Sequence, residues 1–312
     1  MNKILILGTI PATAGIGGVT MHVQRLLEQL DKNGIIYALC DYKALPLKEQ
    51  IRLMKQHRII HLHVSHPVLR ILYALIAKLM GKNLIFTIHG NLGRFNWLGN
   101  LLDKLTVKLS DVPIAINRKS YEKALKWNKQ AKLISAFIPP LTDGKVPEWA
   151  IEKIDSLRKQ GHRVFSTNAS VCSFTPTGEE IYGIEFLIDF FRQRDEVLVI
   201  SDPSGQYAEK HKGEDVFIIS GSHSTYAIYK HVDGTIRNTA TDGDSLSVRE
   251  SLYLGLPTLA TDRVDRPEGC ILFHYNDADS LEKALNNKMR ATKVTPDNPV
   301  EHIIGIYQRL SK

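Results

Sequence analysis

The stretch with the strongest structural signal runs from Arg237 to Gly269 and reads RNTATDGDSLSVRESLYLGLPTLATDRVDRPEG. A polar loop over 239–244 comes before apolar residues with helical spacing at 246, 248, 252 and 254, and Gly255 is a typical helix stop. Residues 256–261 then predict a buried strand, and 262–269 predict a loop at its carboxyl end. Helix amino ends favour anions, and open α/β sheets hold ligands outside the carboxyl ends of their strands, so the stretch predicts an anion-binding loop.

Two acidic residues mark this stretch. Asp242 lies in the loop and Glu250 in the helix, eight positions apart, and Ser245 and Ser247 are candidates to cap the helix. By spacing alone an ordinary surface loop and αβ unit is as good an interpretation, because acidic residues favour helix starts in any protein.

The wording of the stretch resembles the donor-sugar site of family-4-type retaining glycosyltransferases of the GT-B fold. The family pattern is an acidic residue, seven residues, a Glu, a Gly-x-Pro before the next strand, and a Pro-Glu loop. The matching positions here are Asp242, Glu250, Gly255, Pro257, Pro267 and Glu268. The first acid is Asp where the family usually has Glu.

The resemblance implies a role for each matching residue. Glu250 would hold the donor ribose, Asp242 would hold sugar hydroxyls near the anomeric carbon, and Glu268 would help to fix its loop. The donor diphosphate would be received by a glycine loop and by the start of the helix, at Gly17, Gly18, Asp244, Ser245 and Leu246. The resemblance also implies an enzyme that needs no metal ion and no cofactor beyond its nucleotide-sugar substrate.

One part of the family pattern is absent. The family clamps the donor phosphates with an Arg after a Gly and a Lys before a Gly in the loop after the first strand of the second domain. Here Asn168 lies near the first position, and Tyr182 precedes Gly183 at the second. Arg237 and Arg266 are the candidates to supply the missing charge.

The amino-terminal residues predict a strand over 3–8, a glycine-containing loop over 9–20 and a helix over 21–30. The glycine spacing is not that of a dinucleotide-binding fingerprint. The G-G-V-x-x-H form at 17–22 resembles the first loop of the same glycosyltransferases, and the alternative is a tight turn between strand and helix.

Histidines lie within or at the end of two of the next predicted strands. His61 and His63 lie in I-I-H-L-H-V over 59–64, where they could ligate a metal, but no carboxylate is evident nearby and packing or cleft lining is favoured. His89 ends the strand predicted over 84–89, and the tip of a parallel strand points toward the ligand crevice. T-I-H-G at 87–90 resembles the family's T-x-H-G, which implies that His89 contacts the transferred sugar or the acceptor.

Composition bounds the class of protein. The 312 residues suffice for two domains, and three widely spaced cysteines form no metal pattern and favour a reducing, cytoplasmic location. Residues 1–146 hold 21 Lys and Arg against 8 Asp and Glu, a net charge of +13, and the remainder holds 19 against 25, a net charge of −6. This asymmetry predicts that the first half faces an anionic partner. An anionic membrane surface is favoured over nucleic acid, because no nucleic-acid motif is present.

Two helices of the first half bear on that partner. Residues 91–109 carry an apolar stripe with lysines beside it, typical either of an amphipathic core helix or of an interfacial one. Lys119, Lys123 and Lys126 form a basic face on the next helix, and such faces are usually only solvated. In the resembled fold, this region can dock on the inner membrane to reach a lipid-linked acceptor.

The alternation of strands and helices predicts an α/β protein of two doubly wound Rossmann-like domains facing a cleft, the GT-B fold. The predicted domains are 1–146 and 147–295, with a helix over 296–312 returning to the first. By resemblance, the protein is a retaining, hexosyltransferase-like enzyme that moves a sugar, with UDP as the favoured nucleotide, to a glycan or lipid-linked acceptor in polysaccharide or glycolipid assembly. The alternative is a non-catalytic GT-B subunit that binds sugar nucleotides or a partner protein.

Overall fold

The protein is described by a computed structural model that covers residues 4–15, 17–286, 293–294 and 298–312. The chain forms two compact units that divide between Leu141 and Thr142, within the segment 139–147, whose prolines and glycine predict a linker. The first unit also contains the carboxyl-terminal helix Pro299–Ser311. No helix among the described residues has the length and apolar character needed to cross a bilayer.

The first unit is built on a six-stranded parallel sheet with helices on it. Its strands are β1 (Ile4–Gly8), β2 (Tyr37–Asp41), β3 (Ile59–Leu62), β4 (Asn83–Ile88), β5 (Val112–Ala115) and β6 (Lys132–Leu133). Its helices are α1 (Pro11–Ala14), α2 (Gly18–Lys32), α3 (Leu47–Gln56), α4 (Pro67–Leu79), α5 (Trp97–Leu109), α6 (Arg118–Trp127) and α13 (Pro299–Ser311). The strand order is β2-β1-β3-β4-β5-β6, so the winding direction reverses between β1 and β3.

The second unit repeats this plan with a different strand order. Its strands are β7 (Val164–Asn168), β8 (Val197–Asp202), β9 (Phe217–Ser220), β10 (Gly234–Arg237), β11 (Thr258–Thr261) and β12 (Cys270–Phe273). Its helices are α7 (Glu148–Lys159), α8 (Ile184–Phe191), α9 (Gln206–Lys210), α10 (Thr225–Tyr229), α11 (Leu246–Leu254) and α12 (Ala278–Asn286). The order β12-β11-β10-β7-β8-β9 is the Rossmann order, and its winding reverses between β7 and β10.

Apolar strands buried on both faces form the centre of each unit. Leu5, Ile6 and Leu7 of β1 are fully buried, as expected for a parallel strand covered by helices on both sides. Helix α13 completes the first core, where Ile303, Ile306 and Tyr307 are buried in the same cluster as β1 and α2. The predicted α/β class with two doubly wound units is confirmed.

Two local predictions are wrong. The apolar residues within 133–138 predict a short strand, but pairing there is limited to the two-residue edge strand β6, because β5 ends at Ala115 and offers no further pairing partner. The core interpretation of the helix within 91–109 also fails. The buried residues of α5 are Gly99, Asp103, Thr106 and Val107, whereas its large apolar residues Trp97, Leu98, Leu101 and Leu105 are 40 to 77% exposed.

Candidate active site

The reversal of winding in the second unit brings two strand ends together. Asn168 ends β7 and Arg237 ends β10, and these strands pair in parallel. The Arg237 guanidinium donates through Nη1 to the carbonyl oxygen of Asn168 at 3.0 Å and to its side-chain oxygen at 3.3 Å. Ligands of open α/β sheets bind at such a reversal, so this contact marks the expected ligand position within the unit.

A cluster of two arginines and one aspartate occupies this point. The carboxylate of Asp242 accepts from Nε of Arg237 at 3.0 Å and from Nη1 of Arg266 at 3.2 Å. Sequence positions 237, 242 and 266 meet because β10 and β11 are neighbours and both loops leave the same end of the sheet. Three of the predicted site residues therefore form one group, with a formal charge of +1.

The electrostatics of the cluster favour the charged forms of Asp242 and Arg237, whereas burial lowers the pKa of Arg266. Burial by itself would raise the pKa of Asp242, but the adjacent guanidinium groups of Arg237 and Arg266 outweigh it and lower that pKa below its usual value. Burial likewise opposes the charge of Arg237, yet the carboxylate of Asp242 raises its pKa. A buried site with excess positive charge favours an anionic ligand.

The two arginines differ in how many of their donors are engaged. Arg266 donates from Nε to the Thr261 carbonyl at 2.9 Å and from Nη2 to the hydroxyls of Thr239 and Thr261 at 2.8 and 3.1 Å. Arg237 has no hydrogen-bond partner for Nη2 among the described residues, so two of its five N–H donors are available there. Arg237 is thus the better anion donor, and Arg266 mainly positions Asp242.

Thr239 and Thr261 were missed by the sequence prediction. Thr239 lies two residues after β10, and Thr261 is the last residue of β11. The Thr261 hydroxyl also donates to the carbonyl of Thr239 at 2.8 Å, so the two loops are joined directly. Polar residues at adjacent carboxyl strand ends were the available signal.

The loop after β7 contributes an aromatic wall. The guanidinium carbon of Arg237 lies 4.9 Å from the ring centre of Tyr182, a cation–π contact. The Tyr182 hydroxyl lies 2.9 Å from that of Ser170. Gly183 follows in the left-handed region at φ 53°, where an added Cβ would stand 2.2 Å from the side-chain nitrogen of Asn238. Glycine is therefore required beside this tyrosine.

Helix α11 begins at Leu246, which is half-buried, and ends at Gly255 with φ 75°, as predicted. Ser245 is the N-cap residue, but its side chain accepts no hydrogen bond from the helix, and its hydroxyl lies 3.0 Å from that of Ser247. The predicted serine side-chain cap by Ser245 is therefore wrong. Asp244 is bound by Nε of Arg249 at 2.7 Å, which fixes the loop just before the helix.

The two glutamates of the stretch lie in unlike surroundings. Glu250 is buried on α11, and its charge adds to burial in raising the pKa of Tyr229. Glu268 is exposed in the loop before β12 and forms no hydrogen bond or ion pair with the described residues. The structure thus does not show Glu268 fixing its loop.

The glycine loop of the first unit leads into α2. Gly17 is the N-cap residue, and its N–H donates to the Thr20 hydroxyl at 3.0 Å. Gly17 has an extended backbone at φ −163°, and an added Cβ at Gly18 would meet no atom within 4 Å. Neither position needs glycine for the fold of the described residues. Gly15, at φ 78°, does.

His89 lies directly after β4 and is half-buried. Its Nε2 is 2.9 Å from Nδ1 of His63, which follows β3, and its ring lies 5.0 Å from that of His22 on α2. One nitrogen from each of these three histidines lies within 4.8 Å of one nitrogen of each of the others. The spacing in the sequence instead groups His61 with His63 as possible ligands. His61 is bound separately, to the Tyr307 hydroxyl at 2.6 Å and the Thr87 hydroxyl at 2.8 Å.

Burial governs the charge of these histidines. It lowers the pKa of His22 to about 4, and it lowers the pKa of His63 and His89 well below the usual value, with neighbouring histidines adding to the effect. All three imidazoles are therefore neutral at physiological pH. Neutral imidazoles can hydrogen-bond sugar hydroxyls or ligate a metal ion.

Comparison with known proteins shows similarity of structure without similarity of sequence. No protein-family model matches the chain, and no curated protein matches it. Among solved structures, HepE of Anabaena in complex with UDP-glucose superposes with a TM-score of 0.70 at 13% identity, over 99% of this chain and 98% of HepE. The catalytic domain of starch synthase IV from Arabidopsis thaliana, bound to ADP and acarbose, gives a TM-score of 0.63 at 13% identity over 99% of both chains.

A third similar structure is the UDP-GlcNAc 2-epimerase of Methanocaldococcus jannaschii in complex with UDP-GlcNAc and UDP. It has a TM-score of 0.58 at 13% identity, over 99% of this chain and 100% of the epimerase. These similarities define the fold class: the protein has the GT-B fold, with two Rossmann-like units. A shared fold at this identity leaves the reaction to be argued from the site.

Proposed function

We propose that the protein is a retaining glycosyltransferase that moves a hexose or related sugar from a UDP-sugar to an acceptor hydroxyl. The observation that carries the proposal is the cluster of Arg237, Asp242 and Arg266 at the winding reversal of the second unit. Its excess positive charge and the available Nη2 donors of Arg237 suit a diphosphate. The similar structures that were solved with UDP, UDP-glucose or ADP support a nucleotide donor.

The chemistry requires stabilisation of the departing diphosphate. The bond from the anomeric carbon to the diphosphate oxygen breaks, a bond to the acceptor oxygen forms on the same face, and the proton of the acceptor hydroxyl leaves with the departing diphosphate. Arg237 would donate to the phosphate oxygens as their negative charge grows, which is the kind of electrostatic help that lowers such barriers most. The amino end of α11 would add partial positive charge, since the Ser245 side chain does not engage its N–H groups.

The other proposed contacts follow the resemblance. Glu250 would hold the donor ribose, Asp242 the sugar hydroxyls, and His89 the sugar or acceptor. Gly17 and Gly18 would let the backbone approach the donor, since the fold of the described residues does not itself require glycine at either position. The reaction itself would require no metal ion.

A donor screen tests the proposal. Purified protein is incubated with UDP-, GDP- and dTDP-sugars, with and without candidate glycan and lipid-linked acceptors, and nucleotide release and donor affinity are measured. Loss of a charge-assisted hydrogen bond is worth about 1.5–3 kcal/mol, so Arg237→Gln should weaken donor binding roughly 10- to 150-fold. Arg263→Gln is the matched control, because Arg263 lies in the loop after β11 and is 42% exposed.

The rival function is a GT-B subunit that binds a sugar nucleotide without turning it over. Tyr182 at the position of the family's lysine favours it. The rival predicts donor binding that weakens in Arg237→Gln, together with no nucleotide release in the presence of any acceptor. Equal donor binding by Arg237→Gln and Arg263→Gln, with both variants folded by calorimetry, would contradict both functions.

We further propose that the first unit works on an anionic membrane, at the cytoplasmic face, where a lipid-linked acceptor would lie. Large apolar side chains are exposed on two helices in contact, on α4 at Val68, Leu72, Leu75 and Leu79 and on α5 at Trp97, Leu98, Leu101 and Leu105. Beside them, a groove of about 600 Å³ is lined by Trp97 and Trp127 together with Lys104, Lys123 and Lys126. Apolar side chains rimmed by lysines match the two layers of an anionic bilayer surface.

A further inference from the structure

Three histidines of the first unit converge although they lie far apart in the chain. His22 is in the second turn of α2, and His63 and His89 follow the neighbouring strands β3 and β4. Their ring centres form a nearly equilateral triangle, with sides of 5.4 Å between His22 and His63, 5.0 Å between His22 and His89, and 5.2 Å between His63 and His89.

This triangle has the size that three imidazoles around one zinc ion would give. Zn–N bonds are about 2.0–2.1 Å, and an imidazole centre lies about 1.1 Å beyond its ligand nitrogen, so each centre would stand about 3.2 Å from the ion. At tetrahedral angles, three such centres are about 5.2 Å apart. The observed distances between ring centres, 5.0 to 5.4 Å, span this value.

The hydrogen bonds around His22 prepare it as a ligand. Its Nδ1 lies 2.8 Å from the carbonyl oxygen of Ala136, which can only accept, so Nδ1 carries the proton and Nε2 carries the lone pair. A backbone carbonyl on the second ring nitrogen is the usual support of a metal-ligating histidine. Nε2 of His22 is buried and has no hydrogen-bond partner among the described residues, and the same is true of Nε2 of His63.

The contact between His63 and His89 allows two interpretations. Their facing nitrogens are 2.9 Å apart, which fits a hydrogen bond, and two ligand nitrogens on one tetrahedral zinc would be about 3.3 Å apart. A hydrogen bond explains that pair alone. A shared cation explains the pair, the third side of the triangle and the buried lone pair of His22. It requires the two facing nitrogens to move apart by about 0.4 Å, and the nitrogen pairs with His22, which lie within 4.8 Å, to close toward the same 3.3 Å.

We propose that His22, His63 and His89 bind one Zn²⁺ ion or a similar first-row divalent cation. Imidazole nitrogens suit zinc, copper, iron and nickel, whereas magnesium and calcium prefer oxygen ligands. Three histidines leave one tetrahedral position for water or a substrate oxygen. His89 is half-buried, so the group is reached from solvent. The site shares His89 with the proposed sugar transfer but does not rest on it, because metal binding is measured without any sugar substrate.

The test uses the full chain without an affinity tag, stripped of metal and then titrated with Zn²⁺. We expect one tightly held ion per chain by elemental analysis, and X-ray absorption should show three imidazole nitrogens at about 2.0–2.1 Å. Co²⁺ in place of Zn²⁺ should give the intense visible bands of a tetrahedral site. Mg²⁺ should not compete. These readouts need no variant, so a folding defect cannot obscure them.

Variants then assign the ligands. His22→Ala and His89→Gln should each weaken Zn²⁺ binding at least tenfold, since even loss of a supporting residue typically costs 10- to 100-fold. His302→Ala is the control, because His302 is exposed on α13 of the same unit, and it should bind as the unaltered chain does. No bound ion, fewer than three imidazoles by X-ray absorption, or equal binding by the three variants would overturn the proposal.

Discussion

Replacing Asp242 with asparagine isolates the electrostatic role of the arginine cluster. The side chain keeps its size and one oxygen, but the charge that Arg237 and Arg266 contact at 3.0 and 3.2 Å is removed. The formal charge of the cluster rises from +1 to +2. Each of the two hydrogen bonds keeps its cationic donor but loses its anionic acceptor, at a cost of about 0.5–2 kcal/mol each, the difference between a hydrogen bond to a charged group and one to a neutral group. We therefore expect Asp242→Asn to destabilise the second unit by about 1–4 kcal/mol at pH 7.

The pH dependence of this effect has a definite sign. The pKa of Asp242 is lowered in the folded protein, so its contribution to stability is present above the unfolded pKa of about 3.9 and is lost as the pH falls through the folded value. The difference between the unaltered chain and Asp242→Asn should accordingly be constant near neutrality and shrink in acid below about pH 4.

Differential scanning calorimetry from pH 3 to pH 7, in steps of about one pH unit, measures both effects. It resolves the unfolding transition of each compact unit without assuming a single transition for the whole chain. Asp262→Asn is the control, since Asp262 is 39% exposed in the same unit and its one ion pair with a described residue is that with His274. Surface changes of that kind are within about 0.5 kcal/mol. UDP should restore part of the stability of Asp242→Asn, because the cluster has gained positive charge. Equal stability of the two variants at pH 7 would show that the charge of Asp242 does not stabilise the second unit.

Two further predictions concern the first unit and the glycines. Changing Trp97 and Leu101 to Ser should weaken binding to phosphatidylserine vesicles, and changing Lys119 and Lys126 to Gln should weaken it by roughly 30-fold, at about 1 kcal/mol per lysine. The same changes at Trp149 and Lys212, which are exposed in the second unit, should have no effect. Vesicle sedimentation at low and high salt measures the binding, and salt-insensitive or unchanged binding would contradict the prediction. Gly183→Ala should destabilise the protein by about 2 kcal/mol, because Gly183 has a φ of 53° and an added Cβ would contact Asn238. Gly18→Ala should change the free energy of unfolding by no more than about 0.5 kcal/mol and should lower sugar transfer. Thermal unfolding and nucleotide release separate the two glycines, and transfer unchanged in Gly18→Ala would remove that glycine from the donor site.

Elements with a strong local signal were predictable from the sequence. The strand predicted over 84–89 matches β4 to within one residue at each end, the helix predicted over 21–30 lies within α2, and Gly255 ends α11 as expected. These elements are fixed by apolar runs and by one glycine that alone adopts the left-handed conformation easily. The edge strand β12 was missed, and its residues Cys270, Ile271 and Leu272 are only partly buried or exposed, which weakens the pattern.

The site was only partly predictable because its contacts join distant loops. Asp242 and Arg266 are far apart in the chain, and their pairing depends on the adjacency of β10 and β11. The convergence of His22, His63 and His89 likewise depends on the order β1-β3-β4. Strand order is set by the whole sheet, and no local spacing encodes it.

The orientation of α5 could not be read from its periodicity. A helix with one apolar stripe normally turns that stripe inward. Here the buried face instead places Asp103 against Arg70 of α4, and both side chains are almost fully buried. Breaking a buried ion pair is strongly destabilising, so this pair fixes which face of α5 is outside.

The position of α13 in the first unit has a consequence for biosynthesis. The ribosome makes the first sheet early, yet Tyr307, which fills the first core and binds the buried His61, is made only after the whole second sheet. The second unit can therefore reach its final fold while the first still lacks a wall. A nascent chain stalled before α13 would expose Val23 of α2 and Ile59 of β3 to chaperones, and release of α13 would close that surface in one late step.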